Sequence, residues 1–126
     1  MPANVPIFKQ RDYLIATAQA MPSDEDLTNL RDRLVEDVGR YRALGVILDV
    51  TGLDVIDSFS ARTLRDLAFM LRLRGAETVI VGIQPEVAFS MVQLGFRLEG
   101  VSTALDLEDG IAYLDGKRRL QKSSVK

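Results

Sequence analysis

The stretch from Val46 to Leu64 reads VILDVTGLDVIDSFSARTL and is the best guide to the architecture of this chain. Its first five residues, VILDV, are mostly apolar and predict a strand that is buried in the core. A short acidic turn follows and leads into the apolar periodicity of a helix. The turn presents one hydroxyl, Ser58, beside the carboxylates of Asp54 and Asp57. The stretch therefore predicts the strand–turn–helix unit of an α/β domain, with a polar site on its turn.

Two short strands and a helix are predicted upstream of this unit. The strands are Pro6–Lys9 and Tyr13–Gln19, and the polar residues between them suit a tight turn. The helix starts at Ser23, because Asp26 three positions on completes the pattern of a capping box. Gly45 is expected in the connection that follows this helix. The apolar face of the helix recurs at three- and four-residue spacing and comprises Leu27, Leu30, Leu34, Val38 and Tyr41.

The downstream half continues the alternation of helix and strand. The helix after the acidic turn has an apolar face of Ala61, Leu64, Leu67, Ala68 and Leu71. Gly75 suits its end, and Thr78–Ile83 is a β-branched run typical of a buried strand. Pro85 opens a third helix, since its missing N–H would be unpaired in a first turn anyway. A short edge strand is predicted at Val101–Thr103, followed by a last helix that Asp106 caps.

This order of elements predicts an α/β fold in a single domain. Alternating strands and helices favour a mixed, mostly parallel β-sheet, and the opening hairpin adds an N-terminal antiparallel edge. Four main helices pack on this sheet. The domain is predicted to cover residues 1–116, and residues 117–126, KRRLQKSSVK, are predicted to form a basic, flexible C-terminal tail.

Composition excludes several classes of function. The 126 residues contain no Cys and no His, so thiolate catalysis is excluded and the usual general base near neutral pH is missing. The net charge of −2 argues against binding to nucleic acid or to anionic membranes. No apolar run approaches the roughly 20 residues that a membrane span needs. We therefore expect a cytoplasmic protein that is not an enzyme and uses no cofactor and no metal.

The hydroxyl groups near the helix start have a structural and a functional interpretation. Ser58 suits a helix N-cap, a role that contributes about 1 kcal/mol to stability. An exposed N-cap serine can also be phosphorylated, and the phosphate then faces the unpaired N–H groups of the helix. Ser60 and Thr63 lie further along the helix, where a hydroxyl usually bonds to the backbone, and they are secondary candidates for phosphorylation.

Carboxylates around the turn leave alternatives open. Asp49 lies inside an apolar strand, like the phosphoacceptor of a receiver domain, although the acidic pair and the lysine that a receiver needs are missing. The simpler interpretation is a carboxylate that nearby N–H groups or a basic side chain satisfy. Asp54 and Asp57 have the chemistry for acid–base work or a divalent ion, but acids before a helix more often complement its dipole. A small-ligand-binding or enzymatic α/β domain is a third alternative, and it requires a deep pocket lined by polar groups.

Three stretches of the sequence carry a resemblance to a known family. They are LDVTGLDVIDSFSARTL at residues 48–64, RGAETVIVGIQPEVAFSMVQLG at 74–95 and TALDLEDGIAYL at 103–114. Together with the two opening strands, they resemble the STAS domain, the fold of anti-sigma-factor antagonists. Within this family, DVIDSF and VGIQPEVAFSMVQLG are most similar to the RsbS type, the single-domain scaffold proteins of the stressosome.

The resemblance implies a non-enzymatic phospho-switch and scaffold of a cytoplasmic stress-signalling complex. The phosphorylated serine of the family falls on Ser58, and its phosphorylation releases a bound RsbT-type serine kinase. A PP2C-type phosphatase removes the phosphate, and RsbR-type STAS paralogues co-assemble with the protein, so homo- and hetero-oligomers are expected. Asp54, Asp57 and Phe59 are expected to dock the kinase or to position the serine. Many STAS antagonists carry a small residue at the position of Phe59. The phenylalanine of this chain departs from that pattern. The departure fits the RsbS branch and argues against direct binding to a sigma-inhibiting kinase.

Overall fold

A computed structural model of the chain describes residues 5–95 and 101–124, with side chains as far as residue 120. In chain order its elements are β1 (Ile7–Gln10), β2 (Tyr13–Thr17), α1 (Asp24–Tyr41), β3 (Gly45–Asp49), α2 (Ser58–Leu73), β4 (Glu77–Val81), α3 (Pro85–Gln93), β5 (Ser102–Ala104) and α4 (Leu107–Ser124). In the described part of the chain, no helix is long and apolar enough to cross a lipid bilayer.

The strands of these ranges form one sheet in the order β1-β2-β3-β4-β5. β1 runs antiparallel to β2, and the other neighbours are parallel, with Ile47 in register with Ile15 on one side and Val79 on the other. The predicted α/β fold, a mixed and mostly parallel sheet with an antiparallel N-terminal edge and four helices, is therefore confirmed. The parallel strands all end at the same edge of the sheet, called the carboxyl edge below, and each is followed there by the start of a helix.

The central strand β3 is buried on both faces, and its alternating side chains enter two apolar clusters. Val46 and Leu48 pack on one face, in a cluster that α1 and α2 cover with side chains such as Leu34 and Leu71. Ile47 packs on the other face, in a smaller cluster that α4 covers. This arrangement explains why the sequence of β3 is continuously apolar rather than alternating.

Local signals in the sequence account for most helix starts. Ser23 and Asp26 form the predicted capping box, because the Asp26 N–H donates to Ser23 Oγ at 3.0 Å and the Ser23 N–H donates to Asp26 Oδ2 at 3.2 Å. Asp106 caps α4 as predicted, since its Oδ1 accepts the Asp109 N–H at 2.9 Å. Pro85 occupies the first turn of α3.

The structure places Gly45 and Tyr41 differently from the sequence-based prediction. Gly45 is the first residue of β3 rather than part of the connection. Its missing side chain makes room for α4, because a Cβ at this position would lie 2.8 Å from Leu114 Cδ1. Tyr41 is 42% exposed and does not belong to the buried face of α1, since the helix ends there and the backbone of Arg42 turns to a φ of +52°.

Helix α4 continues past residue 116, where the sequence predicts the end of the domain, as far as Ser124. The start of the predicted tail makes ionic contacts with the amino ends of the strands. Lys117 Nζ lies 3.3 Å from Glu77 Oε2, and Arg118 Nη1 lies 2.9 Å from Asp12 Oδ2. These contacts join residues 117 and 118 of α4 to the amino ends of the strands, and the flexibility of the last residues stays a prediction.

Candidate functional site

The segment from Val50 to Ser58 connects β3 to α2 at the carboxyl edge. Leu53, which is 4% exposed, anchors it in the core, and its N–H donates to the Val50 carbonyl oxygen at 2.9 Å. Gly52 packs against the end of β2, because a Cβ there would lie 2.6 Å from the Ala18 carbonyl oxygen. Ligands and partners of α/β domains commonly bind at this edge. The segment therefore has a fixed base and an exposed outer surface.

Ser58 is the first residue of α2, and its side chain is exposed. The prediction that Ser58 caps the helix is wrong, because the capping residue is Asp57, whose carboxylate Oδ1 accepts the Ser60 N–H at 2.7 Å. Asp57 has the extended backbone that a cap requires, and aspartate and serine cap helices about equally well. The hydroxyl of Ser58 is consequently released from the capping role and faces outward at the positive end of the helix dipole.

Asp57 is held in its ionised form by the cap that it makes. The pKa of its carboxyl is lowered from the ordinary 3.8, mainly by the hydrogen bond from the Ser60 N–H and then by the nearby Ser60 hydroxyl. A fixed negative charge therefore stands directly beside Ser58 at neutral pH.

Replacing Asp57 by alanine is expected to destabilise the domain by about 1 kcal/mol, because α2 loses its N-cap. Because the folded pKa of Asp57 is depressed, its charge contributes stability above the unfolded value, and this contribution is lost as the pH falls through the folded value. The difference in unfolding free energy between wild type and Asp57→Ala should therefore shrink at acid pH.

Asp57→Asn is the matched control for this prediction. Asparagine caps a helix without a charge, so its advantage over alanine should stay constant on acidification. Urea titrations at neutral and acid pH measure both differences. An advantage of wild type over alanine that stays unchanged on acidification would contradict the role assigned to the charge.

The two secondary hydroxyls lie in different surroundings. Ser60 is 2% exposed, and its Oγ makes no hydrogen bond of ordinary geometry among the residues that the structure describes, although the Asp57 carboxylate is close enough for the hydroxyl to lower its pKa. Such burial keeps a kinase from reaching it, and the expected bond to the backbone is not made. Thr63 is half-buried and donates to the Phe59 carbonyl oxygen at 2.8 Å, which is the predicted backbone bond.

The outer surface of the segment combines acidic and apolar groups. Asp54, Asp57 and Ser58 are exposed, and the apolar side chains of Val55 and Phe59 are 56% and 38% exposed. Val55 is an addition to the residues that the sequence singled out. Within residues 5–95 and 101–124, no cluster of three acidic side chains is placed to hold a metal ion.

Asp49 is satisfied within its own turn. Its Oδ1 accepts the Thr51 N–H at 3.0 Å and the Thr51 hydroxyl at 2.6 Å, which confirms the simpler interpretation of this carboxylate. The alternative of a receiver domain is wrong, because receivers have the strand order 2-1-3-4-5, whereas this sheet follows chain order from an antiparallel edge.

Thr51 links the segment to the next strand–helix connection, a role that the sequence did not reveal. Its carbonyl oxygen accepts Gln84 Nε2 at 2.6 Å, and its side chain packs on Gly82, whose φ is +77°. The contact joins residues about thirty positions apart, so periodicity gives no sign of it. The sign that the sequence offered was Gly82, which directly follows the buried strand β4. A glycine at the end of a strand lets another part of the chain approach the backbone closely, as Thr51 does here.

Residues 25–109 match the STAS domain, and the match covers more than half of the chain. The chain belongs to the STAS-domain family. Among its curated relatives, the RsbT co-antagonist protein RsbRA of Bacillus subtilis is 33% identical over 87 residues, which are 69% of this chain and 32% of RsbRA. RsbRC of the same organism is 32% identical over 97 residues, or 34% of its length. This STAS chain thus spans about a third of these relatives.

Solved structures of the STAS family extend the likeness to nearly the whole chain. RsbS S58E of Moorella thermoacetica has a TM-score of 0.81 at 29% identity, covering 93% of this chain and 99% of that one. A chain from the molecular architecture of the stressosome, described as a signal integration and transduction hub, has a TM-score of 0.75 at 28% identity and covers 90% and 99%. The resemblance to RsbS-type and stressosome proteins is therefore confirmed.

Proposed function

We propose that this STAS domain is a non-enzymatic phospho-switch and scaffold of a stressosome-type complex, which binds a serine kinase and releases it when Ser58 is phosphorylated. The observation that carries the proposal is the exposed Ser58 hydroxyl at the start of α2, freed from capping by Asp57, in a chain that matches RsbS over nearly its full length. The lack of His and Cys fits a protein that acts by binding rather than by catalysis.

Phosphorylation at this position changes the surface without a need to refold the domain. A phosphate adds about −1.5 to −2 charges next to the ionised carboxylate of Asp57. The first-turn N–H groups of α2 partly compensate this charge, so the helix tolerates it. A protein docked over the segment loses a neutral hydroxyl contact and meets a dianion instead, which favours its release.

The docking surface of the kinase is formed by Asp54, Asp57 and Phe59, and Val55 extends it. The exposed carboxylates suit basic groups on the kinase, and the two apolar side chains suit a shallow recess. The base of the segment is fixed by Leu53, so these groups are presented in one arrangement.

The names of the relatives support this choice of partners. A kinase of the RsbT type fits a family in which several curated relatives are named RsbT co-antagonists. The PP2C-type phosphatase that the resemblance implies is proposed to restore the unmodified serine. RsbR-type STAS paralogues are the partners of co-assembly, in homo- and hetero-oligomers in the cytoplasm. Co-assembly needs a contact surface apart from the docking surface of the kinase. Helix α3 provides an exposed apolar surface, on which Phe89 is 66% and Val92 77% exposed.

The test is to incubate the full chain with an RsbT-type kinase and ATP, and to map the modified residue by mass spectrometry. One phosphate on Ser58 is expected, together with reduced retention of the kinase in a pull-down of the phosphorylated chain. Phosphate on another residue would overturn the assignment of the switch. Unchanged retention after full modification of Ser58 would overturn the release mechanism.

A further inference from the structure

The charges around helices α1 and α2 are sorted by sign between the two ends of these helices. Residues 17–30 and 49–61, where the two helices begin at the carboxyl edge, contain six acids and no Lys or Arg. Residues 38–48 and 67–76, where they end, contain four Arg and no Asp or Glu. The acidic end is defined by Asp24, Glu25, Asp26, Asp49, Asp54 and Asp57, and the basic end by Arg40, Arg42, Arg72 and Arg74.

Both helices contribute to each end, because they lie side by side on the same face of the sheet and share one apolar cluster. At the basic end, Arg74 lies across α1. A Cβ at Gly39 would overlap its guanidinium group and lie 3.1 Å from its Cζ. At the acidic end, the connection before α1 touches the segment before α2, where Gly52 packs on the Ala18 carbonyl oxygen. Each end is therefore a joint surface of the two helices.

The helix dipoles account for only part of this charge. Each dipole is equivalent to about half a charge at each end of its helix, so about one opposite charge would compensate the pair of helices. The remaining like charges repel one another, and a partner of opposite sign is favourable. Exposed charged residues without an ion pair to any other described residue are Asp24, Glu25 and Asp54 at the acidic end and Arg40, Arg42 and Arg74 at the basic end.

Exposed apolar side chains lie at both ends as well. Leu73 is 73% and Tyr41 42% exposed at the basic end, and Val55 is 56% exposed at the acidic end. Stable protein interfaces combine an apolar centre with a polar rim. The two ends therefore complement each other in charge, and both offer apolar surface to bury.

We propose that the basic end of one copy of this chain docks on the acidic end of a second copy, so that copies stack head to tail along α1 and α2. Because the same two helices form both ends, the arginines of one copy can face the carboxylates of the next helix by helix. The contact uses two different surfaces and can repeat from copy to copy. It deepens the scaffold role and rests on the proposed function for its purpose. Since Asp54 also belongs to the docking surface of the kinase, a stacked copy competes with the kinase for the acidic end.

Sedimentation velocity of the full chain without a kinase tests this contact. The wild type should form larger species at about 0.1 M NaCl than at about 1 M, because the screening length falls from about 10 Å to about 3 Å. Arg42→Glu with Arg74→Glu reverses the basic end, and Glu25→Arg with Asp54→Arg reverses the acidic end. Each double variant should associate at least about tenfold more weakly than the wild type, since like charges then face each other.

An equimolar mixture of the two double variants should regain association, because the two intact ends attract each other and so do the two reversed ends. The matched controls are Glu108→Arg and Arg119→Glu, which reverse exposed charges of α4 on the opposite face of the sheet and should associate like the wild type. Thermal unfolding of every variant establishes that it is folded.

Three results would overturn the proposal. A wild-type chain that stays monomeric at low salt would leave the sorted charges without a role in self-association. Association that both double variants retain would place the contact on another surface. A mixture that stays as weak as its components would rule out pairing of opposite ends. Phosphorylation of Ser58 by the kinase is measured separately, so each of these results leaves the phospho-switch standing.

Discussion

Replacing Ser58 by alanine is expected to abolish phosphate incorporation by the serine kinase while the domain stays folded. Ser58 is exposed and is not the residue that caps α2, so removal of its hydroxyl should change the unfolding free energy by less than about 0.5 kcal/mol. The other hydroxyls of the helix start do not replace it, because Ser60 is buried and the Thr63 hydroxyl is bonded to the Phe59 carbonyl. Labelled ATP and a filter or gel assay measure the incorporation.

Thr63→Ala is the matched control, and it should accept as much phosphate as wild type. Ser58→Asp complements the pair, because a permanent carboxylate at this position should weaken kinase retention in a pull-down. Label that persists on Ser58→Ala would move the phosphorylation to another residue. Retention of the kinase by Ser58→Asp at the wild-type level would argue against release by charge.

Replacing Gly82 by alanine is expected to destabilise the domain by about 2–5 kcal/mol. The positive φ of +77° costs an alanine about 1–2 kcal/mol. A Cβ would also clash with the Thr51 hydroxyl and lie 3.1 Å from Thr51 Cβ, and such overpacking costs about 1–3 kcal/mol more. Thr51 cannot turn away freely, because its hydroxyl donates to Asp49. The midpoint of urea unfolding measures the loss.

Gly75→Ala separates the two costs. Gly75 has a similar positive φ of +91°, but nothing lies within 4 Å of the place that its Cβ would take. Its replacement should therefore show the backbone cost alone, about 1–2 kcal/mol. If Gly82→Ala and Gly75→Ala lost the same unfolding free energy, Thr51 would be able to move away from the new Cβ at no cost. The contact between the β3–α2 and β4–α3 connections would then be weak.

The fold was predictable because short stretches of sequence determine most of its helices and strands. The apolar run of β3, the capping box at Ser23 and the glycine at the end of α2 each act within a few residues. The contacts of α4 were not predictable, since the basic residues Lys117 and Arg118 have the composition of a solvated tail. Their partners, Glu77 and Asp12, are distant in sequence, and only the folded sheet brings them together.

The site was predictable to within one residue. Asp57 and Ser58 are both good caps, so sequence alone cannot say which of them starts the helix, and the choice decides which side chain stays free. The burial of Ser60 was within reach, because Ser60 precedes Leu64, Leu67 and Leu71 at the spacing of one helix face. The bridge from Thr51 to Gln84 depends on the register of two strands, and the sign of it in the sequence is Gly82, which directly follows β4.

The base of the segment from Val50 to Ser58 is held by Gly52, Leu53 and Thr51, whereas the side chains of Asp54 and Val55 lie exposed on its outer surface. Exchanges at Asp54 and Val55 are therefore expected to cost little stability, and they alter what an approaching protein meets. Sequence divergence at these two positions can thus change which protein such a domain binds while its architecture stays the same.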